Sequence, residues 1–404
     1  MNSANSDQYQ SWMNHLESLP VVGLIATGRT GSDFLQSLLD SHAQVATFNG
    51  HFAIYTEFFS QSVCLQQKDP VIADVADEFV GRYIYKLVSR YDIQEGKDHL
   101  GETYDRSFRL DTQEFRQHVI GLMEGRKFST RDFLVAVYGA YGLCLNHNLQ
   151  AKRVIFHHPH LVEELPGFLL DFPSASLVFT TRDPRANFVS HVEHFRNYYK
   201  ENDNEQHIYE CLRMMLEDSL PGKRYGVRYT ATRLEDLPRE STLIELSQWL
   251  GIDFDEILLR STWAGLDWHG DRLSQKLFPS KGWSEKRTEN YWQSRLGSLD
   301  QYIFNFIMNS RLQHYRYEWK AVSWLDALAV FVLIPLPMRY ERYYFSWSYI
   351  SYVLREKQRS VCLQILLLPL FYFRRVALCY RFYLSELRGD RFEGHWIGSQ
   401  DLQA

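Results

Sequence analysis

Apolar positions change period several times along the chain, and each change marks an element. Val21–Ala26 is a continuous apolar run, the pattern of a strand buried on both faces. It breaks into the polar loop Thr27–Asp33, after which Phe34, Leu35, Leu38 and Leu39 recur on one helical face. Residues 52–150 read mostly as helix, and Ser129-Thr130-Arg131-Asp132 caps the run Phe133–Leu145. An alternating series follows. Lys152–Phe156 is a short strand rich in Val and Ile, Leu161–Leu170 a helix, and Ser176–Thr181 a strand. Pro184 then starts a helix over Ala186–Arg196. Tyr225–Tyr229 reads as a further strand, and Leu243–Leu250 as an amphipathic helix ended by Gly251. Strands alternating with helices predict an α/β fold, a three-layer, mostly parallel sheet flanked by helices. There is no internal repeat.

Beyond residue 319 the pattern changes. Two apolar runs, Ala327–Met338 and Val361–Phe373, are interrupted by prolines. At 1.5 Å per residue either gives about 18–20 Å of helix, well short of a ~30 Å hydrocarbon core. Arg, Tyr and Trp crowd the sequence between and after them, which suits a segment lying in a membrane interface. Packing back on the domain and forming a homodimer seam are the alternatives. The chain therefore divides into an α/β domain (1–319), with a helical insertion at about 52–150, and a basic, aromatic-rich helical extension (320–404).

Composition sharpens this picture. With 45% hydrophobic and 23% charged residues over 404 positions, the chain can bury a sizeable core and is not disordered. Its formal net charge of −5 argues against nucleic acid as a partner. The charge is uneven, however: residues 320–404 hold 11 basic and 7 acidic side chains, leaving 33 basic and 42 acidic for the rest. Five scattered cysteines without CxxC spacing point to a reducing compartment and to no zinc or disulfide framework. No signal peptide is read in the first 20 residues. The expected location is cytoplasmic, peripheral at the inner face of the membrane if the extension binds lipid.

The candidate chemistry starts in the loop after the first strand. A strand, a glycine loop and a helix N-terminus make an anion site, because backbone N–H groups converge there and the helix dipole favours negative charge. Arg29 adds a fixed positive charge suited to phosphate or sulfate. The loop is not a Walker A motif: Gly28 and Gly31 are three apart, and Asp33 stands where a lysine is wanted. This disfavours a nucleotide-dependent phosphotransferase. A second polar loop, Arg182-Asp183-Pro184-Arg185, follows another strand, with Ser190 eight residues after Arg182. Such loops lie where ligands bind in parallel sheets, at the C-terminal ends of strands.

Together these segments resemble the PAPS-dependent sulfotransferases, in particular the bacterial carbohydrate sulfotransferases, whose fold is P-loop nucleotide-transferase-like. TGRTGSDF (residues 27–34) is similar to the family's 5′-phosphosulfate loop and RDPRANFVS (182–190) to its 3′-phosphate motif. Ser41-His42, VRYTATRLEDLP (227–238), WLG (249–251), WHGD (268–271), Lys281-Gly282 and HYRYEW (314–319) follow the family's order, so the resemblance covers roughly residues 20–319. Two positions depart from it. Asp33 replaces the usual Ser or Thr, tolerable if it turns away to cap the helix, and HHPH (157–160) stands where many relatives read Lys-Thr-Pro.

The resemblance implies transfer of a sulfuryl group from 3′-phosphoadenosine-5′-phosphosulfate (PAPS) to a hydroxyl acceptor, a carbohydrate bound by the helical insertion, without a metal; if the extension binds a membrane, it points to a lipid-linked glycan. It implies Arg29 at the bridging oxygen of the donor. Gly28, Thr30, Gly31 and Ser32 would bind the 5′-phosphate, Arg182 and Ser190 the 3′-phosphate, and Lys281-Gly282 would close over the nucleotide. His51 is the first candidate for the base, with Glu57 and His158 behind it. Trp263, Trp268 and Trp283 are candidates for stacking on adenine or sugar, or for the core. A catalytically silent, membrane-bound adaptor of the same fold is the alternative outside the enzymes.

Overall fold

The computed structural model describes residues 3–198, 205–217, 226–270, 292–356, 359–389 and 394–398. The strands are β1 (Val21–Ile25), β2 (Val45–Ala46), β3 (Val154–His160), β4 (Ser176–Thr181), β5 (Tyr229–Arg233), β6 (Thr262–Trp263), β7 (Leu266–Asp267) and β8 (Trp396–Ile397). Six of them form one sheet in the order β2-β3-β1-β4-β5-β8, with every neighbour parallel. β6 and β7 form a separate antiparallel hairpin. β1 is central, and all five of its residues are buried. This explains its unbroken apolar run, since a parallel strand has helices over both faces. Gly23 is required there: a Cβ would lie 2.8 Å from the ring of Phe168 on α6.

The helices used below are α1 (Ser3–Ser18), α2 (Ser32–Leu39), α3 (Ile72–Arg82), α4 (Thr112–Leu122), α5 (Thr130–Cys144), α6 (Leu165–Asp171), α7 (Pro184–Tyr198), α8 (Glu205–Glu217), α9 (Glu240–Leu250), α10 (Ser298–Ile307), α11 (Trp324–Leu333), α12 (Trp347–Glu356) and α13 (Arg359–Arg388). Ser129 caps α5 as its sequence indicates, its Oγ accepting the Asp132 N–H at 3.0 Å. Gly251 ends α9 in the left-handed region, φ 74°. Segment 52–150 is helical only in part. It packs α3, α4 and α5 around buried aromatic rings such as Phe79, Phe115 and Phe133, but 92–111 carries no α-helix and is tied instead by isolated bridges at Leu100↔Arg106 and Val88↔Arg109.

Three boundaries differ from the sequence reading. β3 does not stop at Phe156. Pairing with β1, Gly23 opposite His157, carries it through His157 and His158 despite their polarity. The described strand β5 is Tyr229–Arg233, since the buried threonines 230 and 232 stand opposite Val178 and Thr180 of β4, while Tyr225 of the expected strand lies outside the described residues; β-branching outweighs the threonine hydroxyls. The helix expected from Leu161 starts at Leu165, where Pro166 fixes the first turn.

The extension is built into the domain. Its second apolar run belongs to the 30-residue α13, which continues through Pro369 to Arg388, far beyond the stretch expected from the apolar pattern. α13 packs on α8 and α10, and α11 packs on α10. Residues 396 and 397 then return as β8, pairing with β5. No described helix is long and apolar enough to cross a membrane. A fully buried ion pair fixes the turn between α11 and α12: Arg375 donates from Nε and Nη2 to the two oxygens of Glu341, both at 2.9 Å, and Nη2 also reaches the Leu336 carbonyl at 3.1 Å. Removing one partner would strand a buried charge, typically a loss of about 3–5 kcal/mol. Arg375→Ala is therefore expected to destabilise the chain by that order in denaturant titrations. The Arg375→Met/Glu341→Leu pair should restore most of the loss; equal stability of the single variant and the parent would contradict the assignment.

Candidate active site

The loop between β1 and α2 takes its shape from three left-handed residues: Gly28 (φ 89°), Arg29 (φ 54°) and Gly31 (φ 90°). Successive N–H groups in such a run turn toward one concave side, an anion cradle. Both glycines are needed for space as well as angle. A Cβ on Gly31 would collide with Leu234, and one on Gly28 would stand 2.9 Å from His191. The Gly28 carbonyl accepts from Asn187 Nδ2 and His191 Nε2 of α7, both at 3.0 Å. His191 thus carries its proton on Nε2. Burial, then the charge of Arg29, pushes its pKa down to about 3.

Thr30 differs from expectation. Its side chain is fully buried and hydrogen-bonds Thr180 Oγ1 on β4 at 2.8 Å, which leaves its backbone N–H as the group able to face an anion. Ser32 is also buried, with Oγ 3.4 Å from His160 Nδ1. Asp33 is not the helix cap. Gly31 occupies that position, and Asp33 sits in the first turn. One Asp33 oxygen lies 3.8 Å from His158 Nδ1, and the carboxylate is a minor favourable influence on Lys97, behind Glu95 and Asp92.

The second loop is built on a rigid clamp. Asp183 accepts from Arg185 Nε at 3.0 Å and from Nη2 at 2.7 Å, while the Arg185 guanidinium lies 4.1 Å from the Trp292 ring centre. This arginine–aspartate pair is structural and holds Arg182 at the end of β4. Ser190, on α7, accepts from Arg29 Nε at 3.4 Å, so the two loops meet. Glu235 was not foreseen in this place. It accepts the Asp183 N–H at 3.1 Å and the Tyr317 hydroxyl at 3.2 Å. Burial raises its pKa, and nearby Arg182 partly offsets the rise.

The third part lies beside Gly50 and His51. Gly50 (φ 72°) leaves room for Glu95, whose Oε2 would stand 2.6 Å from an added Cβ. Glu95 pairs with Lys97 and stands 3.9 Å from Lys86. Lys97 also reaches Asp92 at 3.7 Å and stands 3.7 Å from the Trp263 ring centre. Burial alone would raise the Glu95 pKa, but Lys97 and Lys86 pull it down to about 2. Trp268 anchors this segment, its ring N–H donating to the Glu95 carbonyl at 2.9 Å. Little in the sequence marks Glu95, Lys86 or Lys97; the one clue is the break in helical periodicity at 92–111.

Three imidazoles complete the site, with ring centres 5.0 Å apart for His51–His160, 5.2 Å for His158–His160 and 6.0 Å for His51–His158. Their tautomers follow from one chain of hydrogen bonds. Gln36 Nε2 donates to the Phe48 carbonyl at 2.6 Å, which turns Gln36 Oε1 to His158 Nδ1 at 2.7 Å. His158 must therefore donate from Nδ1, and its Nε2 accepts from His160 Nδ1 at 3.1 Å. Both nitrogens of His158 are thus engaged, which removes it as a candidate base. Glu57 is exposed on the short turn Tyr55–Phe59, and its carbonyl accepts from Arg82. His51 Nε2 is buried and has no hydrogen-bond partner among the described residues. Burial, with His160 and Lys86 behind it, lowers the His51 pKa to about 3. Trp263 and Trp268 are core residues. Lys281, Gly282 and Trp283 lie outside the described residues.

Two arginine-bearing loops and a buried imidazole thus meet at the C-terminal edge of a parallel sheet, where ligands bind in such folds. The chain belongs to the sulfotransferase family, whose model matches residues 20–256. No curated protein matches the chain. Among solved structures it is similar to the sulfotransferase domain of the Synechococcus PCC 7002 olefin synthase, at 17% identity over 68% of this chain and 87% of that one, with a TM-score of 0.37. It is also similar to a sulfotransferase domain from the curacin biosynthetic pathway, at 15% identity over 75% and 99%, with a TM-score of 0.39.

The buried histidines make stability depend on pH. His51, His157 and His191 have folded-state pKa values near 3 and His160 near 4, against ~6.5 in an unfolded chain. Below pH 6.5 the unfolded state binds the extra protons, so stability falls from there down to the folded-state values, by about 1.4 kcal/mol per histidine at pH 5.5. Thermal melts should show a drop in Tm between pH 7 and 5.5, offset in part by Asp40 and Asp300, whose carboxyl pKa values burial raises to about 6 and which add stability by taking up protons over the same interval. A flat Tm over that interval would contradict neutral burial.

Proposed function

We propose that this sulfotransferase takes the sulfuryl group from PAPS and transfers it to a hydroxyl acceptor on a carbohydrate or lipid-linked glycan. The observation that carries the donor assignment is the contact between Arg29 and Ser190. It joins the loop suited to a 5′-phosphosulfate to the loop suited to a 3′-phosphate. The fit is supported by the cradle of Gly28 and Gly31, which only glycine leaves open. In this reading the N–H groups of Thr30, Gly31 and Ser32 hold the 5′-phosphate, and Arg182 and Ser190 the 3′-phosphate. The acceptor class draws support from the extension, whose exposed apolar surface would hold the enzyme where a lipid-linked glycan lies.

In the reaction the bond between sulfur and the phosphate oxygen breaks, and one between sulfur and the acceptor oxygen forms. Such transfers are governed by positioning and charge stabilisation. Arg29 stabilises the charge that grows on the bridging oxygen. His51 Nε2 takes the acceptor proton, and Glu95, whose charge raises the His51 pKa, steadies the imidazolium that results.

Thermal-shift titration tests the donor site. Adenosine 3′,5′-bisphosphate should stabilise the protein, and Arg182→Ala should abolish the shift; stabilisation by ATP with magnesium instead would point to a phosphotransferase. Arg29→Ala is expected to lower kcat by about 10²–10³. A lowered His51 pKa also has a signature, because kcat/KM reports the free enzyme. It should stay level from pH 8 to 6, and an acid limb centred near 6.5 would exclude His51 in this environment.

A further inference from the structure

We propose that the outer face of α11 and α13 docks flat on an anionic lipid bilayer. The inner faces of these helices are buried against the domain, through Val330 and Ile334 on α11 and Arg375, Cys379 and Tyr383 on α13. Their outer faces remain apolar. Trp324 is 71% exposed, Val332 70% and Phe373 65%. Phe331 of α11 lies against Tyr380 of α13, ring centres 5.2 Å apart, and donation from the Tyr380 hydroxyl to the Phe331 carbonyl at 2.8 Å makes the two faces continuous.

The order of residues around α13 selects the partner. At about 100° per residue, Phe373, Leu384 and Leu387 lie on the edge beside α11. Arg374, Arg381 and Arg388 recur every seven residues on the other edge of the same exposed face. An apolar band bordered by a line of arginines fits a bilayer surface, with rings and aliphatic chains at the acyl boundary and guanidinium groups among phosphates. Three acidic groups among the described residues have partners within the protein. Asp326 accepts from Ser323 and from the Tyr302 hydroxyl, Glu341 is buried on Arg375, and Glu386 accepts from the Ser310 N–H. Since no described helix can span, the fit is to the interface and not to the bilayer core.

The test is flotation of the full chain with vesicles of phosphatidylglycerol and phosphatidylcholine, or of phosphatidylcholine alone. Two double variants are compared: Arg374→Gln/Arg381→Gln and Leu328→Ser/Phe373→Ser. Stabilisation by adenosine 3′,5′-bisphosphate serves as a folding control independent of the membrane. The wild type should float with the anionic vesicles and lose binding as salt rises. The arginine variant should bind about 30-fold more weakly, from about 1 kcal/mol for each arginine, and the apolar variant should not float. Failure of the wild type to float would overturn the proposal. So would a dimer in light scattering that the apolar variant dissociates, since a second copy would then cover this face.

Discussion

Two backbone carbonyls at the end of β3 set the geometry of the site. The His158 carbonyl accepts the Phe52 N–H at 2.8 Å, and the His160 carbonyl accepts the Ala26 N–H at 2.9 Å. One bond fixes the segment carrying His51, the other the start of the anion loop carrying Arg29. These segments leave different elements and would otherwise be ordinary connections, the parts of a fold freest to move. Tied to one strand of a buried sheet, they keep a fixed separation. His160 adopts φ 67°, costly for a side-chain-bearing residue, and the register shift between β1 and β3 falls in the same place. The strained strand end is therefore what lets one element serve both sides of the site, the arrangement that transfer between two substrates requires.

The charges around this point balance one another. Lys86 and Lys97 are buried, and an isolated buried ammonium would give up its proton. Burial does lower the Lys86 pKa, but Glu95 and Asp92 more than reverse the effect of burial on Lys97 and raise its pKa. The same lysines hold Glu95 ionised and, together with burial, keep His51 neutral. Asp33 fits this pattern. Its carboxylate is a minor favourable influence on the same lysines, behind Glu95 and Asp92. A positive loop on one side and a neutral imidazole on the other is the polarity that a developing oxyanion and a departing proton call for.

What was legible in the sequence follows from how locally each feature is encoded. The strand–loop–helix at Val21–Leu39 and the clamp at Arg182–Ser190 are contiguous, and their glycines, proline and arginines have meanings that need no tertiary context. β4 was readable for the same reason. β3 and β5 were not readable to their ends, because pairing with β1 and β4 decides where a strand stops, and His157 or Thr230 gives no apolar signal. The role of Asp33 was hidden for another reason. A carboxylate in a first helical turn reads as a cap, and only the fold shows that Gly31 takes the cap position while Asp33 lies beside His158. Glu95 lay beyond reach altogether. Its place beside His51 depends on Trp268 and Lys97, both far from His51 in sequence, as well as on the open space at Gly50.

The extension is tied to the same frame. β8 pairs with β5, and the Trp396 ring centre lies 4.9 Å from the guanidinium of Arg233, which also stands 5.1 Å from the Tyr317 ring centre. Tyr317 in turn donates to Glu235, the carboxylate behind Arg182. Helices held only by a flexible linker could face any direction relative to the sheet. Here the chain enters the extension after Tyr317, forms α11 to α13 around the Arg375–Glu341 pair, and closes on the sheet edge next to the strand that supports Arg182. The outer face of α11 and α13 consequently keeps one orientation with respect to the two anion loops, so any surface that binds that face also fixes how the site is presented to its acceptor.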